Sequence, residues 1–244
     1  MFSEKLLKKF QENPVIAVLT GAGISAESGV HTFRGEDGLW KKFKPEELAS
    51  FDAFMQNPEI VWEWYRYRQK IIKEVEPNPG HYALAELERM YPDFHLITQN
   101  VDGLHVRAGS RSPIELHGNI MRNRCLQCSK NFLEVELQKE IAIPKCTECG
   151  GVLRPDVVWF GEQLPQQALI DAEEATKEAT IFLSVGTSAL VQPAASMPLW
   201  AKNNGAYLVE INIEKTLLTP YVDEHLSGKS GEILTELIKK ISNK

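Results

Sequence analysis

The strongest constraint on this chain is the placement of its cysteines. There are four, and they form two Cys-x2-Cys pairs, Cys125/Cys128 and Cys146/Cys149, with seventeen residues between the pairs. Each pair suits a knuckle turn that aims two thiolates at one tetrahedral ion, and the spacing lies within the usual zinc-ribbon range. The stretch from Met1 to Phe10 is lysine-rich and amphipathic, without the apolar core or small-residue cleavage site of a secretory signal. A cytoplasmic location is therefore expected, where paired cysteines favour metal thiolates over disulfides. Four thiolates fill the coordination sphere of the ion, so the expected zinc is structural and does not activate a nucleophile. A redox pair and a nucleic-acid-binding ribbon are the other readings of this spacing. Glu134, Glu136 and Glu140 between the pairs weigh against the ribbon's binding nucleic acid.

The rest of the chain alternates between two patterns. Short apolar runs at Val15 to Thr20, His95 to Thr98, Val157 to Phe160, Thr180 to Val185 and Ala206 to Ile211 read as buried strands. Helical spacing appears at His81 to Met90, Gln166 to Lys177, Ala194 to Lys202 and Glu232 to Ile241. Such alternation predicts an α/β fold with a doubly wound, Rossmann-like parallel sheet covered on both faces. Two stretches break the rhythm. Residues 36–76 contain a dense aromatic run around Trp62 to Tyr67 and predict inserted helices, and residues 119–156 carry the cysteines. These two modules form a smaller split domain, and residues 1–35, 77–118 and 157–244 form the large one. A formal net charge of −6 argues against a broad nucleic-acid-binding face, and no run approaches the ~20 apolar residues that a membrane helix needs.

Candidate ligand-binding turns lie at the strand ends. Gly21-Ala22-Gly23-Ile24-Ser25-Ala26 matches the dinucleotide pattern G-x-G-x-x-A directly after the first strand, where glycines let backbone approach a pyrophosphate and the next helix offers N–H groups. A tight turn of no further consequence is the plain alternative. A dehydrogenase would place a strand and an acidic ribose partner ~20 residues on. Here that region is polar and glycine-broken from Thr32 through Trp40, which disfavours hydride transfer. Gln99-Asn100-Val101-Asp102 follows the second strand and reads equally as a ligand site or a helix cap. Gly186-Thr187-Ser188 is open in the same way between phosphate contact and ordinary loop. Of the six histidines, His117 stands where the two domains should meet; composition and spacing alone do not make it catalytic.

Taken together, Gly21 to Ser25, Thr32-Phe33-Arg34-Gly35, Thr98 to Asp102, His117-Gly118, the four cysteines, Gly186 to Ser188 and Glu210-Ile211-Asn212 resemble the sirtuin family, in sirtuin order and over nearly the whole chain. One departure is His31, where relatives usually carry proline. The resemblance implies an enzyme that uses NAD to remove acyl groups from protein lysine, releasing nicotinamide and O-acyl-ADP-ribose. It implies that Gly21, Ala22, Gly23, Ser25, Ala26, Thr32, Phe33, Arg34, Trp40 and Gln99 line the NAD site. Gly186, Thr187, Ser188, Asn212, Ile213, Glu214 and Ser230 would hold its phosphate and adenosine portions. Asn100 and Asp102 would position the nicotinamide ribose or a water beside it, and His117 would be the general base. Val158, Trp159, Phe160, Gly161 and Glu162 resemble the segment that takes the acylated peptide as an added strand.

Ala26, with Tyr65 and Arg68 at Tyr-x-x-Arg spacing, resembles the class III branch. On a helix the last two share a face, where a hydroxyl and a guanidinium suit the carboxylate of a succinyl or malonyl group. The bland reading puts Arg68 on a solvated face and packs Tyr65 among aromatics. Three other activities remain in view: a plain deacetylase, an NAD-dependent ADP-ribosyltransferase, and a zinc-ribbon binding module on a vestigial nucleotide fold. A monomer is expected.

Overall fold

The computed structural model describes residues 2–30, 48–133 and 142–242. His31, Thr32, Phe33, Arg34 and Trp40, together with Glu134, Glu136 and Glu140, lie outside the described residues. In chain order the elements are α1 (Glu4–Lys9), β1 (Ile16–Thr20), α2 (Ala22–Ala26), α3 (Phe51–Gln56), α4 (Pro58–Glu74), α5 (Pro79–Met90), β2 (Phe94–Thr98), α6 (Leu104–Arg107), β3 (Ile114–Glu115) and β4 (Gly118–Cys125). They continue as β5 (Asn131–Leu133), β6 (Leu153–Val157), α7 (Gln166–Glu178), β7 (Ile181–Val185), α8 (Met197–Asn203), β8 (Tyr207–Asn212), β9 (Glu224–Ser227) and α9 (Ser230–Ser242).

Six strands form the main sheet in the order β3-β2-β1-β7-β8-β9, all parallel. Every residue of β1 and β7 is buried, as expected of central strands covered on both faces. Side-chain alternation divides them between two cores. Ile16 and Val18 point with Leu183 and Val209 toward α1, α5 and α9, whereas Ala17 and Leu19 point with Phe182 and Leu208 toward α7 and α8. The chain builds outward from β1 through β2 to β3, then returns to build the other way from β7. The order therefore reverses between β1 and β7, and in open α/β sheets the ligand crevice lies outside the carboxyl ends of the strands at such a reversal.

The second sheet is antiparallel, with order β5-β4-β6. It corrects one expectation. Val157 to Phe160 is not a strand of the parallel sheet: β6 ends at Val157, opposite Gly118 of β4, and the chain beyond it forms only an isolated bridge from Phe160 to Ser50. An apolar run buried on both sides reads the same in either sheet, so periodicity alone did not separate them. The third core lies here and joins Trp62, Trp64 and Tyr65 of α4 to Cys125, Cys146, Leu153 and Trp159.

Local chemistry accounts for the helices flanking this unit. Pro58 starts α4 at a position that lacks an intrahelical donor in any case, and Asn78-Pro79 repeats the device for α5. There the Asn78 side chain accepts from Gly80 N at 2.9 Å, and the His81 ring reaches back to Asn78 N at 3.3 Å. Among the described residues no helix is long and apolar enough to cross a membrane.

Candidate active site

The glycine turn after β1 is pressed against the turn after β7. Gly21 N donates to Val185 O at 3.0 Å and Gly23 N to Gly186 O at 2.8 Å. A Cβ on Gly23 would lie 2.7 Å from Gly186 Cα, and one on Gly21 would lie 2.8 Å from Thr187 Cα. The contact that demands glycine is thus the second turn, and these two N–H groups are already committed within the protein. The start of α2, expected to offer free N–H groups to a ligand, therefore has the one at Gly23 already bonded to Gly186. Gly186 has φ +58°, and its own Cβ would fall 2.5 Å from Ile24 N. Gly186→Ala combines this clash with a left-handed backbone, a cost of about 2–5 kcal/mol. We expect a Tm lower by roughly 5–15 °C in a melting curve; an unchanged Tm would show that the two turns are not held as tightly as described.

Polar side chains from the neighbouring strand ends converge on this contact. Gln99 Nε2 donates to Thr187 Oγ1 at 3.0 Å, and Asn212 Nδ2 donates to Thr187 O at 2.9 Å. Asn100 commits both amide hydrogens, to Gly21 O at 3.0 Å and to Ser25 Oγ at 3.2 Å, so its remaining polar atom is an acceptor. Ser188, Ile213 and Glu214 are exposed at the rim, and Ser230 is buried at the start of α9. Ala26 is exposed at the end of α2.

Behind the turn runs a directed chain of buried hydrogen bonds. Asn78 N–H donates to His81 Nδ1, which places the His81 proton on Nε2. That nitrogen lies 3.3 Å from Ser25 Oγ, and Ser25 in turn donates to Asp102 Oδ2 at 2.8 Å. Burial pushes His81 down to about 4, so the ring is neutral at physiological pH. Burial also raises the Asp102 carboxyl, against the opposing pull of its hydrogen bonds and of Arg68. Asp102 Oδ1 accepts from Leu104 N at 2.9 Å, so the cap reading and the site reading are both satisfied by one side chain.

His117 stands across the crevice, half-buried, between the parallel sheet and β4. Its Nδ1 lies 2.9 Å from Gln99 O, and because a carbonyl only accepts, Nδ1 carries the proton. The lone pair is then on Nε2. Burial lowers the His117 pKa below the ordinary imidazole value, partly offset by the Gln99 carbonyl. The segment after β6 is anchored beside it, with Val158 N donating to His117 O and Phe160 N to Ala49 O, both at 2.9 Å. Phe160 is exposed, Trp159 is turned into the core, and Glu162 grips Arg154 and the backbone of Trp159.

The four sulfurs lie within 4.8 Å of one another, with Cys125 to Cys149 at 3.5 Å and Cys128 to Cys146 at 3.6 Å. Tetrahedral ligands at a Zn–S distance of about 2.3 Å place sulfurs about 3.8 Å apart. The cluster fits zinc. Four thiolates complete a tetrahedral shell, and among the described residues no further His, Asp or Glu joins the group, which fits a structural ion.

Comparison with known proteins settles the family. The family model described as "Sir2 family" matches residues 21–193. The chain belongs to the Sir2 family. This sirtuin is 52% identical over 233 residues to the NAD-dependent protein deacylase of Aquifex aeolicus, covering 96% of its own length and 98% of the relative's. It is 48% identical to a Sir2 homolog solved as an NAD complex, with a TM-score of 0.92 over 100% of this chain and 95% of that one. It is 31% identical to the Sir2 chain of a p53 peptide–NAD+ complex, with a TM-score of 0.85 and full coverage of both chains.

Sequence reading of this sirtuin overlooked His81 and His105 as members of the site. His105 Nε2 lies 3.0 Å from Thr20 Oγ1, and the centroids of the two histidine rings are 4.9 Å apart with their planes tilted by 59°. The one available signal was Asn78-Pro79, which places His81 at a capping position; nothing in the sequence linked it to Ser25.

Proposed function

We propose that this sirtuin is an NAD-dependent protein-lysine deacylase that removes acetyl groups and also succinyl or malonyl groups. The observation that carries the reading is the convergence of Asn100, Asp102 and His117 around the crevice at the strand-order reversal, in a chain whose deacylase relatives match it end to end. The cofactor supplies an electrophilic ribosyl carbon and nicotinamide as a neutral leaving group. The residues around it do the rest.

Gly186, Thr187, Ser188, Asn212, Ile213, Glu214 and Ser230 hold the phosphate and adenosine portions. Gly21, Ala22, Gly23, Ser25, Ala26 and Gln99 take the middle of the cofactor, and Thr32, Phe33, Arg34 and Trp40, outside the described residues, belong to the same cofactor-binding set. Asn100 and Asp102 orient the nicotinamide end. His117, with its proton pinned on Nδ1, presents Nε2 to take a proton from a ribose hydroxyl. The acylated peptide lies as a strand along residues 158–162. Val158 and Phe160 spend their N–H groups on His117 and Ala49, and Trp159 spends both its backbone groups on Glu162, so this reading rests on the resemblance of the segment to one that pairs with a peptide by strand addition. Residues 1–35, 77–118 and 157–244 act as the dinucleotide-binding unit, and residues 36–76 and 119–156 as the unit that completes the substrate side.

The wider acyl range rests on Tyr65 and Arg68. Both are buried on α4, so the solvated-face reading of Arg68 does not apply. Burial lowers the Arg68 pKa, an effect opposed by the nearby Tyr65 and Asp102. A guanidinium held in such surroundings favours an anionic partner. Arg68→Met is expected to reduce kcat/KM on succinyl-lysine peptide by about 30-fold or more relative to acetyl-lysine peptide. Mass spectrometry of matched peptides after incubation with NAD reads this directly. Removal of acetyl alone, unaltered by Arg68→Met, would make the protein a plain deacetylase, and mass added to the peptide would make it an ADP-ribosyltransferase.

A further inference from the structure

Tyr65 is fully buried, and its hydroxyl oxygen accepts a hydrogen bond from Trp159 Nε1 at 2.8 Å. These residues are 94 positions apart and join α4 to the segment that follows β6. An indole N–H only donates, and a phenol hydroxyl has one proton to give. With Trp159 donating into one side of the oxygen, the Tyr65 proton is directed to the other side. Without that bond the hydroxyl is free to rotate and spend its proton elsewhere.

The donor is itself held firmly. The Trp159 ring carries the Arg154 guanidinium 3.3 Å from its centroid, and Trp159 N donates to Glu162 Oε2 at 2.9 Å. Arg154 is fixed in turn by two bonds to Glu162 and one to Val157 O at 2.7 Å. A cation over the ring face draws electron density from the indole and strengthens its N–H as a donor. On the other side, the Tyr65 ring meets Trp64 edge-on at 4.6 Å, and the Arg68 guanidinium lies 4.8 Å from the Trp64 centroid. Tyr65 therefore has neither ring nor hydroxyl freedom. Burial pushes its pKa up to about 12, so the hydroxyl keeps its proton throughout the working pH range.

We propose that Trp159 is a positioning residue for acyl specificity, which aims the Tyr65 proton at the carboxylate of an acidic acyl group and so makes Tyr65 and Arg68 act as paired donors. The inference rests on the acidic-acyl reading above and adds a residue that reads no acyl atom itself. Glu162, by holding Arg154 and Trp159 N, belongs to the same support.

The test is the succinyl-to-acetyl ratio of kcat/KM, measured on matched peptides for the wild type, Trp159→Phe, Tyr65→Phe and the double variant, beside Arg68→Met. Trp159→Phe is expected to lower the ratio by roughly tenfold, the worth of one oriented hydrogen bond to a charged group. In the Tyr65→Phe background the same change should leave the ratio unmoved. A purely structural role for Trp159 would depress both substrates together and leave the ratio alone. Should Trp159→Phe fold poorly, β-(3-benzothienyl)alanine at position 159 keeps the ring shape and replaces the N–H with sulfur; it should lower the ratio to the same extent. A ratio that falls with Arg68→Met but not with loss of the 159 N–H overturns this inference alone. No succinyl removal by the wild type, or a ratio indifferent to Arg68→Met, overturns the carboxylate reading and this inference with it.

Discussion

His117→Ala is expected to slow acyl removal by about 100- to 10,000-fold, the range over which a positioned general base contributes. The geometry explains why loss should be so large. Nδ1 is tied to Gln99 O at 2.9 Å, which fixes both the ring orientation and the tautomer, and no second described histidine stands at the mouth of the crevice. His81 and His105 lie behind it, and burial holds both rings neutral. The pH dependence follows from the same side chain. Neutral imidazole is the active form, and burial moves the His117 pKa below its ordinary value. The base therefore stays neutral to lower pH than a free imidazole, and kcat/KM should fall only as pH drops through a midpoint under ~6.5. The residual activity of His117→Ala should lack that limb. A pH–rate profile of both proteins checks this; an acid limb shared by wild type and variant would remove His117 from the role of base.

Loss of the metal should have the largest structural effect. Cys125 and Cys146 are buried in the core that holds Trp62, Tyr65 and Trp159, so an ion there would clamp the small sheet and the segment after β6 at once. Structural zinc contributes about 10–16 kcal/mol to the folding of isolated ribbons, and only part of that is recovered by a sheet already packed on α4. Cys125→Ser is expected to bind less than one zinc per chain and to melt lower by on the order of 10 °C or more. Metal content and a melting curve measured together decide the matter. Full activity in metal-stripped protein with an unchanged Tm would deny the ion a structural role. Replacement by cobalt, which keeps four-thiolate geometry, should restore both Tm and turnover, because a filled coordination sphere contributes no chemistry.

Much of this molecule was legible in one dimension. The cysteine spacing announced the ribbon because two knuckles must each offer two sulfurs, and that requirement is local. The runs at Val15, His95, Thr180 and Ala206 announced β1, β2, β7 and β8, because strands buried on both faces must be apolar at successive positions. The helical spacing from His81 to Met90 was equally local, though the helix proper starts two residues earlier, at Pro79. Strands whose stability comes from partners were not legible. β4 carries Asn119, Arg122, Asn123 and Arg124 and shows no apolar run, and Glu115 and Asp156 flank Arg122 at 2.7 and 3.1 Å. β3 and β9 are too short to show a period.

The candidate site divides in the same way. Which turns carry it followed from glycine, amide and hydroxyl residues directly after apolar runs. What each residue touches did not. Ser25 reaches Asp102 across 77 positions, Gln99 reaches Thr187 across 88, and Trp159 reaches Tyr65 across 94. Hydrophobic periodicity records which face of an element is buried, and hydrogen-bond direction depends on what the opposite face turns out to be. Sequence alone determined β1, β2, β7 and β8, the ribbon and the candidate turns. Only the folded chain decided that the glycines serve a turn-on-turn contact, that Val157 ends a strand of the small sheet, and that the Tyr65 oxygen accepts its bond from Trp159.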